Sequence, residues 1–136
     1  MTRKAIKTIS NKTIRFIPEE QRDLDESAEK MEDRPMVFVG KPLTNDQKWA
    51  MRDLIEMDEA KNVKGMGKVI KFLWKTCISE VLNVLEQDED GTVKELESVK
   101  GKEKDALWNT NLEADIIEAC NFYREQSELN DEEVKI

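Results

Sequence analysis

The chain has 136 residues, enough for one domain with one hydrophobic core. It carries 30 acidic against 22 basic side chains, a net charge of -8, and no histidine. That balance argues against a non-specific nucleic-acid binder, which needs clustered positive charge, and it removes the commonest general base and metal ligand.

Hydrophobic and charged residues each make up 38% of the chain, so part of it is expected to be solvated tail or linker. No apolar run approaches the roughly 20 residues that span a bilayer. Met1 to Ser10 is basic but lacks an apolar core, so no export signal is expected. Cys77 and Cys120 sit in apolar periodic segments and read as buried free thiols of a reducing compartment, the cytoplasm.

Residues 1–18 hold Arg3, Lys4, Lys7, Lys12 and Arg15 and no acid. Residues 19–34 are strongly acidic and lie between Pro18 and Pro35, which predicts a mobile connection. Thr13–Ile17 and Met36–Val39 are β-prone and predict a small antiparallel pair with the acidic segment as its loop. Thr44 and Gln47 have the spacing of a capping box, and a helix with Met51, Leu54 and Ile55 on its apolar face should follow. The glycines at 65 and 67 end it.

Ile70, Leu73, Trp74, Cys77, Ile78, Val81, Leu82 and Leu85 repeat at three-and-four spacing. This predicts one amphipathic helix from 70 to 85, the spine of the core. Each large side chain buried there is worth about 1.5–3 kcal/mol. Asp88–Gly91 is a turn, Thr92-Val93 a possible brief strand and Lys102–Trp108 a helical turn. Thr110 and Glu113 are spaced as a second capping box, before a last helix on Leu112, Ile116, Ala119, Cys120 and Tyr123. The expectation is a mainly helical α+β domain over 1–126, an N-terminal β pair packed on about three helices. Residues 127–136 form an acidic disordered tail.

Three constellations bear on function. Glu86, Asp88, Asp90, Gly91, Val93 and Glu97 fall on positions of a calcium-binding EF-hand loop. Against it, glutamate stands first, Lys94 sits inside the loop, and Gly101 interrupts the segment that should be the exit helix. The basic N-terminal arm would suit a small nucleic-acid-binding regulator. Lys64, Lys68, Lys71 and Lys75 form one stripe of the predicted long helix, with Phe72 among them, and Trp49 stands off its own helix face. With Val69, these make a candidate protein-binding surface; the bland alternative is a solvated lysine face with Phe72 covered by its own chain. No serine or cysteine has a histidine to activate it, there is no phosphate loop, and no cofactor is expected, so an enzyme is disfavoured.

The order of features also resembles a known family. Lys12-Thr13-Ile14-Arg15-Phe16-Ile17-Pro18-Glu19 with Arg22-Asp23-Leu24, then Val37-Phe38-Val39-Gly40-Lys41-Pro42-Leu43-Thr44 leading into a helix, then Asp88-Glu89-Asp90-Gly91, is similar to the tail assembly chaperones of long-tailed bacteriophages. The resemblance implies a non-catalytic protein of the host cytoplasm that binds the tape measure protein, keeps its apolar helices soluble and recruits tail tube subunits. It further implies self-association and, in many members, a longer frameshifted form. The chain departs from the pattern at Asn83–Gln87, where an aromatic is expected before the Asp-Gly turn.

Overall fold

Val37, Phe38, Val39 and Gly40 are all buried, and the strand they form, β2 (Val37–Gly40), is paired on both sides. The computed structural model describes residues 12–57 and 63–135, apart from the side chains of 56, 57, 63, 64 and 129–135. The basic stretch from Arg3 to Lys7 lies outside them.

β1 (Ile14–Phe16) lies on one side of β2, as its β-prone sequence predicts. The other side is taken by β5 (Ile78–Gln87), which in turn pairs with β6 (Val93–Lys100). The small N-terminal β pair packed on about three helices is therefore overturned. The fold is α+β, built on a four-stranded antiparallel sheet in the order β1-β2-β5-β6. A two-residue β pair, β3 (Glu56–Met57) with β4 (Val63–Lys64), stands apart from it.

The 70–85 helix is corrected in the same way. α2 (Met66–Thr76) takes its first half, and the second half is strand. The buried residues of that strand, Ile78, Val81 and Val84, are three apart, as on a helix. Two irregularities put them on one face. The register against β2 slips between Val39 and Gly40, leaving Ser79 as an extra residue. Asn83 then takes a left-handed conformation at φ 59°, held by its amide donating to the Pro35 carbonyl at 3.1 Å.

α1 (Asn45–Arg52) starts on the expected capping box: the Gln47 amide donates to the Thr44 hydroxyl, and the Gln47 side chain accepts from the Thr44 amide. α3 (Gly101–Ala106) continues into a 3-10 turn at Leu107–Asn109. α4 (Glu113–Lys135) packs on α2 and buries Ile116, Ala119, Cys120 and Tyr123. Its start departs from a capping box, since the Thr110 hydroxyl accepts from Leu112. The helix does not end near Gln126: Ser127 is buried, donates to the Tyr123 carbonyl and accepts from the Leu43 amide at 2.8 Å.

One core joins these layers. Phe38 meets Trp74 edge-on at 6.3 Å, Phe16 stacks on Phe122 at 4.7 Å, and the Tyr123 hydroxyl donates to the Ile14 carbonyl. Gly40 is required where β2 passes the end of α2, because a Cβ there would lie 2.1 Å from the Cys77 carbonyl oxygen.

The acidic segment expected as a mobile connection forms a strap with 3-10 turns at Glu19–Gln21 and Met31–Asp33. Met31 is buried, the Arg34 guanidinium donates to the Ala28 carbonyl, and Gln21 accepts from the Met36 amide at 2.7 Å. Its far end reaches α4, where the Glu19 amide donates to Glu118. Few acids in this strap need a cation, because most point into water.

Candidate functional site

The Asp88–Gly91 turn is the most specific chemistry in the sequence, and the structure makes it a hairpin tip. One Asp88 oxygen accepts from the amides of Asp90 and Thr92 at 3.0 and 2.9 Å. Glu86 stands in β5 opposite Lys94 of β6, and Glu97 lies further along β6. Strands, not helices, flank the loop, so Glu86, Asp88, Asp90 and Glu97 are strung along a hairpin instead of converging. Among the described residues no group of three metal-ligating side chains could hold an ion.

Lys104, Cys77 and Cys120 are buried ionisable groups. Lys104 on α3 is 4% exposed, and its ammonium donates to the carbonyls of Trp74 and Ile78 at 2.7 and 2.6 Å. It caps the end of α2, where carbonyls lack helical partners, and ties it to the start of β5. Its ammonium also lies 4.4 Å over the Trp74 ring. Burial lowers its pKa, with Asp105 opposing at 3.6 Å. Cys77 and Cys120 are free and buried, and burial pushes both thiols up to about 12, so neither is a ready nucleophile.

A groove of about 290 Å³ lies between the strap and the sheet, with Leu24, Met31, Met36 and Leu85 supplying apolar wall and Arg34 and Asn83 polar groups. Arg34 and Asn83 already donate to backbone carbonyls, so the groove has apolar shape without converging reactive groups.

The candidate protein-binding residues separate. Val69 is fully buried and leaves the surface list, because it faces the core from the α2 side that also carries Leu73. Phe72 is half-buried and packs against the core, the bland alternative for it. Lys68, Lys71 and Lys75 are exposed along α2, and the Lys71 ammonium lies 6.0 Å over the Trp108 ring. Trp49 on α1 is 64% exposed, with the Arg52 guanidinium 5.1 Å over its ring.

Two further apolar residues are exposed at the junction of α1 and α2, Ile55 and Met66, each at 38%. The junction is tight. Gly65 sits at φ 88°, and a Cβ on it would lie 2.1 Å from the Leu54 carbonyl oxygen. The sequence placed Ile55 on a buried helix face; α1 stops at Arg52 instead and leaves it outside.

No family model, curated protein or solved structure matches this chain. Among the described residues no helix is long and apolar enough to cross a membrane.

Proposed function

We propose that this chain is a non-catalytic protein-binding module, and that its contact surface is the α1–α2 junction with the lysine face of α2. The carrying observation is Trp49, a large aromatic 64% exposed on α1, with Ile55 just after that helix and Met66 at the start of α2 also exposed. Tryptophan exposed among apolar neighbours and cations is a common centre of binding energy. The exposed Lys68, Lys71 and Lys75 of α2 suit a partner with an apolar stripe and acidic flanks.

Tail assembly chaperone is the more particular reading, and the host cytoplasm its place of work. Its support is the sequence layout of Lys12–Glu19 and Val37–Thr44. The 70–85 helix that was to present a long gripping side is absent, so the tape measure protein's apolar helix would meet the junction instead. The net charge of -8 would keep such a complex soluble.

The test is co-expression with the tape measure protein of the same genome. The wild-type chain is expected to hold that protein in the soluble fraction and co-purify with it. Trp49→Ala should weaken the complex by about 2 kcal/mol, roughly thirty-fold, while leaving thermal unfolding within about 0.5 kcal/mol of wild type. A tape measure protein that stays insoluble in both cases defeats the chaperone reading; unchanged affinity in the variant defeats the junction as the surface.

A further inference from the structure

β6 is the sheet's long open edge. It pairs with β5 along one side only, and among the described residues no backbone hydrogen bond from outside the sheet reaches Val93–Lys100. The opposite edge, β1, has three residues; β6 has eight. α3 leaves β6 at Gly101 and turns inward over β5, since Lys104 reaches the carbonyls of Trp74 and Ile78. An uncovered strand of this length is a template for another strand.

The strand's composition narrows the occupant. Its charges are Lys94, Glu95, Glu97 and Lys100, which sum to zero in a chain of net charge -8. Along this strand two acidic chains can approach without net like-charge repulsion.

We propose that β6 pairs antiparallel with β6 of a second copy about a twofold axis normal to the sheet, Glu95 opposite Lys100 and Leu96 opposite Val99. This goes beyond the partner-binding reading and does not rest on it. Residues directly opposite each other in antiparallel strands must share a face. In a regular strand Leu96 and Val99, three apart, would point to opposite faces. Here both face the core, Leu96 paired with Val84 and Val99 with Val81, because the alternation turns over between them, where Asn83 and Glu97 fall outside the registered pairs. Glu95 and Lys100 are both exposed on the outer face: Glu95 lies opposite exposed Leu85, and Lys100 and Ser98 both contact Glu80.

That turnover admits the register. It sets two Glu–Lys pairs on one face and two Leu–Val pairs on the other, symmetric about the axis, in one continuous sheet. A slip of one residue would put Lys94 opposite Lys100 and Glu97 opposite its own copy, both repulsive.

Sedimentation equilibrium on the full chain tests this. At on the order of 100 µM the wild type is expected to sediment at twice the 15.8 kDa chain mass. Glu95→Lys and Lys100→Glu each place like charges in both outer pairs and should weaken self-association about tenfold or more. An equimolar mixture of the two variants restores opposite charges in both pairs, so it should recover the dimer as a heterodimer. A monomeric wild type at that concentration overturns the proposal, as do single reversals without effect or a mixture that stays monomeric. If Lys100→Glu fails to fold because Glu80 lies beside it, wild-type hydrogen exchange decides. Protection of the Glu95–Lys100 amides that rises with protein concentration supports the pairing, and protection independent of concentration overturns it.

Discussion

α2 and β5 adjoin in the chain and bury apolar side chains at the same spacing, yet they reach that spacing by different means. α2 sets Val69 and Leu73 inward through its own turn, with Trp74 beside them. β5 sets Ile78, Val81 and Val84 inward only because Ser79 is extra and Asn83 is left-handed. The helix carries its periodicity in its backbone. The strand borrows it from two local departures that depend on β2, β6 and Pro35. The helix half should therefore fail through loss of packing, the strand half through loss of a backbone conformation.

The largest expected effect is on the helix side. Trp74→Ala removes a side chain 1% exposed that packs on Phe38, and should cost about 3–5 kcal/mol in urea unfolding. Trp74→Phe should cost much less, because the indole N–H it deletes has no hydrogen-bond partner.

Lys104→Met tests the joint between the two halves. It leaves the Trp74 and Ile78 carbonyls without their ammonium, and should cost about 2–3 kcal/mol. A loss below about 0.5 kcal/mol would mean that water replaces the lysine and that the joint is looser than the geometry requires.

On the strand side, Asn83→Val should cost about 2 kcal/mol, combining left-handed strain with the lost bond to Pro35. Asn83→Gly keeps the conformation and should cost about half as much. Equal losses in the two variants would show that the conformation at 83 contributes nothing.

The last effect is graded by pH. Cys77 and Cys120, ordinarily at 9.0, are raised to about 12 by burial, and Tyr123 is raised from 10.0 for the same reason. Between 9 and 12 the unfolded chain gives up these protons and the folded chain keeps them. Their stabilisation is whole below pH 9 and is lost as pH rises, by about 1 kcal/mol per pH unit for each thiol. Lys104 acts in the opposite sense below 10.5, since its folded pKa is depressed. Unfolding followed from pH 8 to 11 should show falling stability, and Cys120→Ala a shallower fall from a lower start.

Much of the local structure was legible from residues alone. Thr44 and Gln47 announce the start of α1 because capping uses only neighbours in sequence. Ile14–Phe16 and Val37–Gly40 carry β-prone side chains and do pair. The buried thiols follow from their apolar periodic settings. The binding surface was half legible. Trp49 stood off its helix in the sequence and is exposed, whereas Ile55 and Met66 are exposed only because α1 ends early and the chain folds back at Gly65.

By itself the sequence determined the cap of α1, the strand preference of β1 and β2 and which side chains seek the interior, because those depend on neighbours a few positions away. The tertiary structure alone decided that Ile78–Gln87 is strand. Its spacing of three satisfies a helix equally well, and its β-branched residues speak only weakly against one. The free edge of β2, a partner distant in the chain, tips the balance by offering backbone hydrogen bonds along Val37–Gly40. The same distant choice buries Lys104 and leaves β6 at the sheet's edge, so the surfaces proposed for contact were set by long-range pairing.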